Sequence, residues 1–339
     1  MRKILFLLFM IPACVLAQTG GEATYQILQF QSASRVAVLN NPIAVWDHDV
    51  NLGIHNPSLL NPKMHHGVGL NFVDYFADIN LVSVAHAFPI KELGTFGFSL
   101  QSLNLGTFTE TNSQAQTLGT FTADEQLMSV SLGKQLFDNW SLGASIKLVL
   151  SNLESYQSVG LATDLGATYY KNRFAVSILT KNVGRQISTY ATEKEPLPFE
   201  LKLGVSKKLE HIPFLFSIGY NHIETWDLTY DYNPDISIDP LTGEENISSS
   251  SFTQKLLLHF DIAGELSIGK FLQLRAGYNP QRRYELKVDS FLGMVGFSWG
   301  LGIKVSHFYI NYGRATYHLT GSPNYFSIKT NLSKFYKKK

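Results

Sequence analysis

From about residue 67 to the C-terminus, apolar and polar residues alternate, and this period of two constrains the fold more than any other feature. Side chains alternate across a strand, so such a run describes a ribbon with one apolar and one polar face. In 140–150, Trp140, Leu142, Ala144, Ile146, Leu148 and Leu150 share one face; Ser141, Gly143, Ser145, Lys147 and Val149 share the other. The segment 255–268 sets Leu256, Leu258, Phe260 and Ile262 against His259, Asp261 and Glu265. The segments 199–206, 272–279 and 325–332 repeat the pattern. About fourteen strands can be read, among them 67–74, 213–230, 251–268 and 288–303.

A soluble β-sandwich also alternates, because each of its strands has one wet face. Two features favour a barrel in a membrane. Several runs reach ten residues or more, the span of a tilted membrane strand, whereas soluble strands more often stop near five or six. Connections also sort by length. Every second one is short, and the others, at 106–119, 183–198 and 231–251, are long and polar. Short turns on one rim and long loops on the other are the layout of an outer-membrane barrel. An all-β, transmembrane antiparallel β-barrel is therefore expected over 63–336, its apolar faces toward lipid. The charges on the polar faces (Lys147, Asp164, Glu200, Lys202, Asp261, Glu265, Arg275 and Lys329) are too regular for a dry core and can pair across strands in the lumen.

The first seventeen residues carry a basic start at Arg2 and Lys3, a short apolar run and a small-residue end at Ala17. They predict a signal peptide cleaved before Gln18, hence export to the outer membrane. The rival reading is a lipoprotein signal lipidated at Cys14. With Cys14 removed the mature chain has no cysteine, so no disulfide framework is expected. Charged residues make up only 16% and the net charge is +1, which gives no electrostatic basis for binding nucleic acid.

No catalytic or cofactor-binding constellation stands out, and no enzyme activity, cofactor or metal is expected. Asp47, His48 and Asp49 could suggest a metal, but in an extended segment His48 would point away from both carboxylates, and a polar loop explains them. Before the alternating region lie three Asn-Pro pairs, at 41–42, 56–57 and 61–62, which use three of the chain's twelve prolines. Proline removes a backbone donor and asparagine can satisfy local backbone groups, so these residues suit a segment kept out of a sheet.

Several stretches in order, including 20–41, 49–60, 71–79, 118–125, 141–169, 180–190 and 197–214, resemble the PorQ family of the type IX secretion system of Bacteroidota. Those proteins are similar to FadL-type barrels of fourteen strands with an N-terminal hatch in the lumen. The resemblance implies that 18–62 is the hatch. Its Asn-Pro-small motif falls on Asn56, Pro57 and Ser58, with Asn61 and Pro62 following. It also implies a non-enzymatic scaffold in an attachment complex at the cell surface, beside a PorU-like sortase, a PorV-like barrel and a PorZ-like adaptor. That complex cleaves cargo signals and joins cargo to lipopolysaccharide. Docking of a partner is expected first on loop 231–251, at Tyr232, Asn233, Pro234, Asp235, Asp239, Glu244 and Glu245. The alternative is a FadL-like channel for hydrophobic small molecules.

Overall fold

A computed structural model describes residues 23–229, 251–287, 293–317 and 321–335, with the backbone of 236–238 and 245–247. The strands in chain order are β1 (Gly67–Asp74), β2 (Asn80–Ile90), β3 (Gly94–Thr111), β4 (Thr117–Phe137), β5 (Trp140–Leu153), β6 (Tyr156–Lys171), β7 (Phe174–Ser188), β8 (Glu200–Lys208), β9 (Phe214–Tyr220), β10 (Ile236–Ile238), β11 (Glu245–Ile247), β12 (Phe260–Ile268), β13 (Leu272–Tyr278), β14 (Phe297–Val305), β15 (Phe308–Ala315) and β16 (Asn324–Asn331). β10 and β11 pair only with each other. The other fourteen form one closed antiparallel barrel, in which β9 pairs with β12 and β1 with β16. Closure leaves no edge strand, as a sheet in lipid requires.

The barrel is turned inside out relative to a soluble protein. On β5, Ile146 is 59% exposed while its neighbour Ser145 is 2% exposed. Trp140, Leu142 and Leu148 share the exposed face; Ser141, Lys147 and Ser151 share the buried one. An apolar outer band around a polar interior is a surface made for hydrocarbon. Among the described residues no helix is long and apolar enough to cross a membrane.

The wall is uneven. β3 to β7 run for 18, 21, 14, 16 and 15 residues. β8, β9, β12 to β16 and β1 run for seven to nine. About nine to eleven tilted residues suffice to cross a bilayer, so β3–β7 stand clear of it as a palisade. The register places the extra length on the long-loop rim. Asn80, the first residue of β2, pairs with Asn104, and β3 continues to Thr111. On the opposite rim the turns are tight. Asn172 and Arg173 both have positive φ, as a two-residue type I′ hairpin needs.

Several expected boundaries are corrected. The strand expected over 213–230 ends at Tyr220. The run 251–268 opens as helix α3 (Phe252–Leu258; the third in the chain), capped by Ser251, whose side chain accepts from the Gln254 N–H. In the described part of the run 288–303, residues 293–303, the strand begins at Phe297, and the expected connection before the run holds α4 (Pro280–Leu286), which Asn279 caps and Pro280 begins. Ser at the cap and Asn followed by Pro are helix-start signals; at Ser251 the cap prevails over an apolar pattern that fits either period. The loops expected at 106–119 and 183–198 are partly strand, because the Thr-rich hairpin of β3 and β4 continues to Thr111 and Thr117 and β7 to Ser188.

Candidate functional site: the occupied lumen

Residues 23–66 precede β1 and form no strand. They contain α1 (Ser34–Val38), α2 (Val50–His55) and short 3₁₀ turns at Gln26–Leu28, Pro57–Leu59 and Pro62–Met64. Their partners lie on inward faces all round the barrel. Ile27 N donates to Glu125 Oε2 on β4 at 2.7 Å. Ser34 N donates to Ser327 Oγ on β16 at 2.9 Å, and Ser298 Oγ on β14 donates to Val38 O at 2.8 Å. Ser206 Oγ on β8 donates to Ala44 O at 2.8 Å, and the Asn51 and Asn71 amides exchange hydrogen bonds at 3.2 Å toward β1. A segment bonded to walls on every side occupies the lumen.

The Asn-Pro pairs make the turns of this segment. Asn56 ends α2 and is 0% exposed. Its Oδ1 accepts from Ser58 N at 3.1 Å and Ser58 Oγ at 2.8 Å, while its Nδ2 donates to Ile43 O at 2.7 Å. Pro57 begins the 3₁₀ turn, where an N–H would have had no helical acceptor. Asn61 repeats the device: its Oδ1 accepts from Lys63 N at 3.2 Å, and its Nδ2 donates to Asp47 O at 2.7 Å. Asn56, Pro57, Ser58 and Asn61 are thus gathered in one buried unit, whereas Pro62 is exposed. Ser58 Oγ shares a 2.6 Å hydrogen bond with Thr168 Oγ1 on β6, which shares another with Ser177 Oγ on β7 at 2.7 Å. The backbone comes so near that a Cβ at Gly143 would overlap the Pro57 carbonyl, and one at Gly166 would overlap the Asn56 amide oxygen. Only glycine leaves room for that approach.

On the opposite side the contact is ionic. Arg35 meets Glu265 with two hydrogen bonds, Nε at 2.8 Å and Nη2 at 2.9 Å. Its Nη1 reaches Asp47 and, at 3.2 Å, Asp49. Arg275 joins Glu265 at 2.6 Å and donates to Asn311 at 2.9 Å; Lys329 reaches Asp49 at 2.6 Å. Arg35, Arg275 and Lys329 face Asp47, Asp49 and Glu265, so the cluster is neutral. Burial would raise the Asp49 carboxyl, but Lys329 and Arg35 together hold it well below the usual carboxylate range. Further round, Lys147 pairs with Asp164 at 2.5 Å and Lys202 with Glu200 at 3.2 Å. Burial and the nearby Lys181, Lys202 and Lys147 push His55 well below the usual imidazole value, so it is neutral.

Sequence reasoning missed the tie between Arg35 and the acidic pair. Asp47 and Asp49 bind this arginine, and His48 is exposed. Among the described residues no group of three or more His, Cys, Asp or Glu could hold a metal. Of the loop residues expected to meet a partner, Tyr232, Asn233, Pro234, Asp235, Asp239 and Glu244 lie outside the described residues. The Glu245 backbone pairs with Ile238 in the small hairpin.

A closed, lipid-facing barrel with an occupied lumen defines an integral protein of outer-membrane type. Its fold is that of the FadL barrels: it superposes on a FadL homologue of Pseudomonas aeruginosa with a TM-score of 0.50 at 10% identity, over 88% of this chain and 98% of that one. It is also similar to CymD, a monoaromatic hydrocarbon channel (TM-score 0.47, 12% identity, 90% of this chain and 97% of that one). The Pseudomonas putida toluene transporter TodX gives 0.46 at 12% identity, over 87% and 95%. Identities this low establish the shared fold alone. No family model and no curated protein matches the chain.

Proposed function

We propose that this barrel is an outer-membrane scaffold of the type IX secretion attachment complex, anchoring a PorZ-like surface partner alongside a PorU-like sortase and a PorV-like barrel. In that role it supports cleavage of cargo signals and attachment of cargo to lipopolysaccharide without doing the chemistry itself. The observation that carries this reading is the occupied lumen. Residues 23–66 are pinned to β4, β6, β8, β12, β14, β16 and β1 by buried hydrogen bonds and ion pairs. A filled lumen closes the axial passage an open pore would need and leaves a channel only a lateral route, whereas an anchor needs a rigid body and a rim on which to hold a partner. The palisade of β3–β7 supplies such a rim, and the ordered resemblance to the PorQ family supplies the class of partner. Deleting the gene should leave cargo with its signal uncleaved or release it unattached into the medium. Unchanged processing and attachment would sink the proposal.

The second reading is a channel for hydrophobic molecules, supported by the fold shared with the FadL homologue. It requires an apolar ligand site beneath residues 23–66 and a route through the wall, for which the register shift between β6 and β7 at Thr163 and Leu165 is the place to look. Purified protein that takes up no fatty acid or monoaromatic compound would remove it.

A further inference from the structure

Between the N-terminal segment and the wall of β3–β7 lies a cavity of about 50 Å³. Lys147, Lys181, Gln101 and Ser129 line it from the wall, and His55 lines it from α2. The two lysines differ. Lys147 is matched by Asp164 at 2.5 Å and donates to Asn182 at 3.0 Å. Lys181 is only 7% exposed, yet its ammonium has no hydrogen bond or ion pair among the described residues. Two more polar atoms here are shielded and unpartnered: His55 Nε2 and Gln101 Oε1. A carboxamide presents its N–H groups in place of its oxygen by a simple flip. With the carboxamide so turned, the Lys181 ammonium, a His55 Nε2–H and the Gln101 N–H groups can all donate toward this one space.

The charge count agrees. Lys147 is matched by Asp164, whereas Glu200, joined to Lys202 at 3.2 Å, also faces Lys181 across the β7–β8 register, so two lysines share one carboxylate. A buried ammonium is strongly disfavoured unless paired. A volume of this size admits a few water-sized bodies, which excludes a lipid headgroup or a nucleotide.

We propose that this cavity binds one small monovalent anion of about the size of chloride, held by Lys181, His55 and Gln101. The anion would act as a clasp between the N-terminal segment and the tall side of the wall. The site goes beyond the scaffold role and does not depend on it.

The test uses the full mature barrel in detergent. Crystals soaked in bromide should show an anomalous peak in contact with Lys181 Nζ. Replacing gluconate with chloride at constant ionic strength should raise the midpoint of the heat-induced gel-mobility shift by about 2–4 °C. Lys181→Met should abolish that response. Should this variant fail to fold, Gln101→Leu keeps the cation and should need several-fold more chloride for the same shift. Absence of a bromide peak at Lys181, with equal midpoints in chloride and gluconate, would overturn the proposal. So would a chloride response undiminished in Lys181→Met.

Discussion

The N-terminal segment meets the barrel wall in two different ways. Toward β12–β16 full charges join its hydroxyl and backbone contacts: Arg35 on Glu265, and Asp49 on Lys329. Toward β5–β7 it uses neutral hydroxyls and direct backbone approach: Ser58 on Thr168, and Pro57 against Gly143. Ion pairs demand matched partners and break when one partner is removed or titrated. Close packing demands shape and is indifferent to pH.

The largest effect should come from the charged side. Arg35→Ala leaves Glu265 with Arg275 alone and removes the Asp47 contact. Breaking a buried ion pair from one side costs about 3–5 kcal/mol. Amide hydrogen exchange over residues 34–55 should accelerate accordingly, while barrel strands far from Arg35 keep their protection. Exchange unchanged in α1 and α2 would mean that the ionic side is decorative.

On the packed side, Gly143→Leu places a side chain where the Pro57 backbone runs. Overpacking of this kind costs about 1–3 kcal/mol. It should expose residues 56–60 to protease while leaving the contacts of Arg35 in place. If both variants loosen the whole segment equally, the two sides are one cooperative unit and the contrast fails.

Acid separates the sides more gently. His55 is depressed in the folded state, so the unfolded segment takes up protons first and stability falls as pH drops below about 6.5. Asp49 is also depressed. Its contribution is present above about 3.9 and is lost as pH falls toward the folded value. Exchange in α2, corrected for intrinsic rates, should therefore rise in two stages on acidification, while Pro57–Leu59 responds less. A flat profile from neutral to strongly acid pH would contradict the charge pairing.

The barrel was legible because one physical rule, lipid outside and polar groups inside, is written at every second residue. β1 is expected at 67–74 and found at Gly67–Asp74. The failures came where a strand pattern gives way to a local cap. Ser251 starts a helix within a run whose leucines suit either period, and Asn279-Pro280 starts one in the expected connection 280–287. The contacts of the lumen were harder to read. Arg35 and Glu265 are 230 residues apart, and no local spacing links them. A signal did exist on the wall: glycine and serine recur at inward positions such as Ser141, Gly143 and Ser145, which leaves space for a backbone to come close. Partner contacts leave no such trace, because a rim loop carries no periodicity.

The central claim is that residues 23–66 fill the lumen and leave no open aqueous passage through the barrel. Conductance of the purified chain in planar bilayers tests this most directly, with the double variant Asn56→Ala, Pro57→Ala beside it. The account predicts no stable conducting steps for the native chain. In the variant, which leaves the Ile43 carbonyl without its donor and frees the turn, it predicts flickering openings and raised permeability to small antibiotics. A steady, large conductance from the native chain would contradict it.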